Sequence, residues 1–230
     1  MATGSVLGAQ QREILREMGV EVWLARNRPA LTPAGPAADV AAPLAGWAPL
    51  RAAVQNCTRC ALHRTRTQTV FGVGNVAARW MIIGEAPGAE EDRRGEPFVG
   101  PAGLLLGEML RAVGLERSDV FIANILKCRP PDNRDPNPQE ISACADHLSQ
   151  QVQLVAPKLI LAVGRIAAQS LLHQDVAVGR LRGRAHVFGE SAIPLVVTYH
   201  PAYLLRAPAE KRKAWDDLQL ARGLVDPLSR

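Results

Sequence analysis

From Trp80 onward, short apolar runs alternate with longer stretches in which apolar residues recur every three or four positions. Trp80–Gly84 contains no charged residue and reads as a strand buried on both faces. Val120–Leu126, Lys158–Gly164 and Pro194–Tyr199 read as further core strands, and Arg184–Phe188 suits an edge strand. Helices are expected over Ala102–Val113, Pro138–Val155, Arg165–His173 and Ala209–Val225. Asn137 and Pro138 form an N-cap followed by a first-turn proline, a pair that fixes one helix start. Trp47, Leu50 and Val54 mark a shorter helix running into Cys57. Alternation of β and α predicts an α/β fold whose parallel sheet is covered by helices on both faces.

Ahead of this pattern, Leu7, Ile14, Leu15, Met18 and Val22 are spaced as in a helix over 7–26, weakened by Gly19. Residues 28–46 are mostly Pro, Ala and Gly and read as a linker. The chain is therefore expected to comprise an N-terminal helix and Pro/Ala-rich linker over 1–46 and one domain over 47–230. A length of 230 residues with 47% hydrophobic content suffices for that domain and its core.

The net charge of +5 is compatible with a phosphate-bearing partner without requiring one. No run reaches about 18 apolar residues, so no transmembrane helix is expected. No basic segment followed by an apolar stretch opens the chain, so the expected location is cytoplasmic. There, four cysteines suit buried thiols or metal ligands better than disulfides. Cys57 and Cys60 form a C-x2-C pair; Cys128 follows a predicted strand, and Cys144 lies in the next predicted helix. Four thiolates suit tetrahedral zinc or a [4Fe–4S] cluster, and spacing alone does not separate the two. Four unconnected buried cysteines are the plainer alternative. His63 and His147 are expected to be bystanders, since the cysteines supply a full ligand set. Such a centre would be structural, closing a long loop. Lys127, Arg129 and Arg134 flank Cys128 and suit either phosphate contacts or a solvated polar loop.

Ligands of open α/β sheets sit beyond the carboxyl ends of the strands. Glu85, Asn124 and His200 fall at three such ends, although polar residues also begin ordinary loops there. The stretch Gly84-Glu85-Ala86-Pro87-Gly88-Ala89-Glu90-Glu91-Asp92, followed by Gly95-Glu96-Pro97-Phe98-Val99-Gly100-Pro101-Ala102-Gly103, resembles the first motif of the family 4, iron–sulfur uracil-DNA glycosylases. Asn124 with Lys127-Cys128-Arg129-Pro130-Pro131 resembles their second motif, and His200-Pro201-Ala202-Tyr203-Leu204-Leu205-Arg206 their third. The resemblance runs from about residue 55 to 220 and includes the cysteine spacing, but not the first 46 residues.

The resemblance implies a three-layer α/β/α fold with about four parallel strands and a [4Fe–4S] cluster on Cys57, Cys60, Cys128 and Cys144. It implies hydrolysis of the N-glycosidic bond of uracil in DNA, single- or double-stranded, by a monomer. Gly84, Glu85 and Ala86 would line the uracil pocket, Phe98 would stack on the base, and Glu91 would exclude thymine. Asn124 would read the base edge, His200 would contact uracil O2, and Leu204 would wedge into the base stack. Glu85 and His200 are the expected catalytic residues. Ala86 occupies the place of an aspartate used by the related family 1 enzymes, which leaves the water-activating group open. The main alternative is a non-catalytic nucleic-acid-binding module with a four-cysteine metal site; it explains the charge and the cysteines but not the polar strand ends. A redox iron–sulfur protein is disfavoured by the lack of a dinucleotide loop, since Gly72-Val73-Gly74 is too short. No basic, histidine-bearing insertion of the kind used for covalent attachment to DNA lies between Gly103 and Asn124.

Overall fold

The computed structural model describes residues 46–189 and 192–226. The chain divides into two units, Met1–Val40 and Ala41–Arg230, and all the described residues belong to the second. The helix predicted over 7–26, and the linker apart from Gly46, lie outside the described residues.

The elements run α1 (Trp47–Gln55), β1 (Val73–Gly74), β2 (Trp80–Gly84), α2 (Ala89–Arg94), α3 (Pro101–Ala112), β3 (Phe121–Asn124), α4 (Pro138–Val155), β4 (Leu159–Val163), α5 (Arg165–Leu172), α6 (Val178–Leu181), β5 (Ala185–Phe188), β6 (Ile193–Thr198), α7 (Pro201–Arg206) and α8 (Lys211–Val225). They form one six-stranded sheet of order β1-β3-β2-β4-β6-β5. The inner strands β3, β2, β4 and β6 pair in parallel, and β1 and β5 close the two edges antiparallel. The four predicted parallel strands are therefore the middle of a larger, mixed sheet.

Strand alternation splits the core in two. Met81, Ile83, Ile160 and Ala162 face α1, α4, α5 and α6, whereas Trp80, Ile82, Leu159 and Leu161 face α3, α7 and α8. This is a three-layer α/β/α arrangement. It explains why β2 and β4 are continuous apolar runs, since each face of the strand meets helices. The predicted start of α4 is reproduced: Asn137 Oδ1 accepts from the Glu140 N–H at 2.8 Å, and the Glu140 carboxylate accepts from the Asn137 N–H at 3.0 Å. No described helix is long and apolar enough to cross a membrane.

Register brings the strand ends level. Gly84 pairs with Asn124, Ile83 with Ala162, and Val163 with Thr198. The loops that follow these strands open on one edge of the sheet, and Glu85, Asn124, Arg165 and His200 all line a single cleft there.

Candidate active site and cysteine cavity

The cleft holds about 770 Å³. Asn124 forms part of its lining; it is 3% exposed, and its side-chain Oδ1 has no hydrogen-bond partner. A buried carboxamide oxygen left unpaired is costly unless a ligand completes it. Gly84 lies directly across the strand pair: a Cβ there would come within 2.5 Å of Asn124 Oδ1 and 2.6 Å of Phe98 Cζ. Glycine is thus required where Asn124 and Phe98 converge.

Phe98 is 7% exposed and adopts a left-handed backbone, with φ of 55°. Such strain costs on the order of 1–3 kcal/mol in a non-glycine residue and must be held by its surroundings. Glu91 holds it. Its Oε1 accepts from the Val99 and Gly100 N–H groups at 3.1 and 3.3 Å, and its Oε2 accepts from the Gly88 N–H at 3.1 Å. One carboxylate therefore joins α2 to the loop that carries Phe98. Gly103 holds the other side, since a Cβ there would come within 1.7 Å of the Phe98 carbonyl oxygen. Asp92, which the sequence did not single out, is 3% exposed and accepts from the Thr67 N–H through both carboxylate oxygens at 3.0 Å, anchoring the same helix to the segment before the sheet.

His200 caps α7: its Nδ1 accepts from the Ala202 N–H at 3.1 Å. That bond requires Nδ1 to be unprotonated, so in the neutral ring the proton sits on Nε2. Burial, aided by Arg206, lowers the His200 pKa from 6.5 to about 4, with Glu91 acting in the opposite direction. The ring is neutral through the physiological range. The unfolded chain takes up its proton first, near 6.5, so this histidine's contribution to stability declines as pH falls from there toward 4. Phe98 and His200 stack with ring centroids 5.6 Å apart. Glu85 is half-buried on the cleft wall; burial and then the Asp135 carboxylate raise its pKa, and Arg165 opposes them. Ala86 and Glu91 line the same cleft, as do Arg134, Arg165 and Arg206.

On the other side of β3, Cys57, Cys60, Cys128 and Cys144 line one small cavity and form no disulfide. Arg66 Nη1 donates to Cys128 Sγ at 3.0 Å, and the Lys127 N–H donates to Cys144 Sγ at 3.4 Å. Arg59, inside the C-x2-C segment, pairs with Asp146 of α4 at 2.8 Å and fastens that segment to the helix. Burial pushes the Cys144 thiol up to about 11 and raises that of Cys128. A thiol that binds a metal gives up its proton to do so. Among the described residues no three donors close on one point that a single ion could hold. A cubane cluster asks for something else, with each thiolate on its own iron around a shared volume. His63 and His147, expected to be bystanders, both line this cavity; His147 is 2% exposed, and neither of its ring nitrogens has a hydrogen-bond partner.

Residues 71–219 match the uracil DNA glycosylase superfamily. The chain belongs to the uracil DNA glycosylase superfamily. Among its relatives, the type-4 uracil-DNA glycosylase of Archaeoglobus fulgidus is 41% identical over 72% of this chain and 86% of its own. The type-4 enzyme of Pyrobaculum aerophilum is 43% identical over 74% of this chain and 90% of its own. A type-5 uracil-DNA glycosylase of the same organism is more distant, 29% identical over 65% and 79%.

Two expectations from the sequence need correction. Leu204 does not face the opening: it is 1% exposed and belongs to the core layer with Phe98, Leu106 and Leu218. Pro201 and Leu204, three residues apart, share the buried side of α7, whereas Tyr203 and Leu205 are 38% and 46% exposed. Lys127 does not present charge to phosphates either. It is 1% exposed, its Nζ donates to the Asn124 carbonyl at 2.7 Å, and burial lowers its pKa to about 8.

Proposed function

We propose that this chain hydrolyses the N-glycosidic bond of uracil in DNA, single- or double-stranded, releasing free uracil and leaving an abasic site. The observation that carries the reading is the unpartnered Asn124 Oδ1 in the lining of the cleft, beside Gly84 and Phe98. A base flipped out of the stack enters the cleft and lies against Phe98, which offsets part of the lost stacking, about 1–3 kcal/mol. Asn124 Oδ1 accepts from uracil N3–H, and its amide nitrogen donates to O4. Cytosine reverses both partners and leaves buried groups unpaired. Glu91, fixed by three backbone N–H groups, cannot turn away from the 5-methyl group of thymine.

As the bond from the sugar C1′ to the base N1 breaks, its electron pair moves onto the base. His200 Nε2–H donates to uracil O2 and stabilises that anion. Water adds to C1′ and yields a proton to Glu85, whose raised pKa suits it to accept one. Arg134, Arg165 and Arg206 on the cleft lining meet phosphates. Because His200 is neutral above about pH 4, the rate is expected to be independent of its titration from pH 5.5 to 8. A rate that falls through a single pKa near 6.5 and becomes flat in the His200→Asn variant would contradict the neutral donor.

Cys57, Cys60, Cys128 and Cys144 would hold a [4Fe–4S] cluster, which would join α1, the segment after β3 and α4. The type-4 relatives and the single cavity support this assignment. Leu205, exposed on α7 next in sequence to Arg206 of the cleft lining, would take the wedge role in place of Leu204. Leu205→Ala is expected to slow excision from a U·A duplex more than from U·G, and from single strands least. Leu204→Ala is expected to cost about 2–5 kcal/mol of stability and to lower all three rates together. Single-turnover rates beside melting curves check both; the reverse pattern would return the wedge to Leu204. Incubation with a uracil oligonucleotide in EDTA should release free uracil, and release that depends on added magnesium would contradict this chemistry.

A further inference from the structure

Lys127 is the one described side chain shown to touch the backbone of Asn124 while lining the cysteine cavity. It lies three residues beyond Asn124, where the chain leaves β3, and its side chain folds back so that Nζ donates to the Asn124 carbonyl at 2.7 Å. Its own N–H donates to Cys144 Sγ. Lysine is almost never fully buried without a counter-charge. Yet among the described residues Lys127 makes no ion pair with a carboxylate, and the acidic groups that line its cavity are the thiols of Cys57, Cys60, Cys128 and Cys144. On its far side, the Ile125 and Leu126 N–H groups donate to the Gly84 and Glu85 carbonyls at 2.9 and 3.0 Å, so the segment following Asn124 is bonded to the wall of the cleft as well.

We propose that Lys127 is a positioning residue that couples the two sites: thiolates carrying a cluster hold its ammonium in place, and the ammonium holds the Asn124 main chain where the carboxamide meets uracil. The inference rests on uracil binding in the cleft and a cluster in the cysteine cavity. Its consequence is reciprocal. A cavity that is occupied favours uracil binding, and uracil in the cleft favours retention of the cluster by the same factor. An emptied cavity leaves a buried cation without its counter-charge, and Lys127 then releases the Asn124 carbonyl in seeking solvent.

The test uses the holoprotein and free uracil. Loss of visible absorbance on addition of an iron chelator is followed with and without saturating uracil. In the wild type, uracil should slow the loss several-fold. In Lys127→Met, the freshly purified protein should contain iron, yet uracil at saturation should leave its rate of loss unchanged. The Kd for uracil of loaded and stripped wild type supplies a second measurement that needs no variant, with stripped protein expected to bind several-fold more weakly. Equal protection in Lys127→Met and wild type would overturn the proposal, as would a wild type that binds uracil and carries iron but shows no protection and no difference in Kd. Protein that lacks iron or does not bind uracil at all would instead refute the reading of the sites.

Discussion

Asn124→Ala is expected to lower the single-turnover rate of uracil excision by about a hundred- to a thousandfold, the usual loss when one preorganised hydrogen-bonding group is removed from such a site. In the proposed pose the deletion would remove both the acceptor for N3–H and the donor to O4, while Gly84, Phe98 and His200 would remain. Because Asn124 is buried beneath the cleft and Arg134, Arg165 and Arg206 line it separately, affinity for undamaged DNA should change by less than about threefold. Rates measured with enzyme in excess, beside a filter or anisotropy assay for DNA binding, distinguish the two quantities. A variant that cuts at a near-normal rate would remove Asn124 from the site.

Cys144→Ser is expected to abolish the visible absorbance and to lower stability sharply. The proposed cluster would join Cys57 and Cys60, which follow α1, to Cys128 beyond β3 and to Cys144 in α4, so its loss would reopen a loop of about seventy residues, for which loop closure alone is worth up to about 4 kcal/mol. The substitution would also leave the buried Lys127 with one thiol fewer in its cavity. Iron and sulfide content, with a thermal melt of the variant, check this. A Cys144→Ser protein that melts with the wild type and retains iron would show that the cavity is not the cluster site.

The central strands were legible because burial on both faces leaves nothing but apolar residues in Trp80–Gly84 and Leu159–Val163. Their level carboxyl ends followed from the α/β pattern, and so did the convergence of Glu85, Asn124 and His200. β1 was not legible, because two residues carry no period. Nor was α2, whose sequence Ala-Glu-Glu-Asp-Arg-Arg has no apolar face; it is fixed by tertiary bonds to Glu91 and Asp92. Leu204 was misplaced because distance along the chain from His200 does not say which side of a helical turn faces inward. Lys127 looked like part of a basic loop, since its partner is a main-chain carbonyl and leaves no mark on composition. His147 did carry a usable signal: it lies one turn after Cys144, at i+3, on the buried side of α4.

Uracil excision is tested most directly by a single-turnover comparison of three oligonucleotides that differ at one position, uracil, thymine or cytosine, with purified protein in excess and EDTA present. A cleft built on Asn124, Phe98, Glu91 and His200 predicts release of free uracil and an alkali-labile break at that position, with no detectable release of thymine or cytosine. Binding of all three without any release, or release of thymine at a rate near that of uracil, would contradict it.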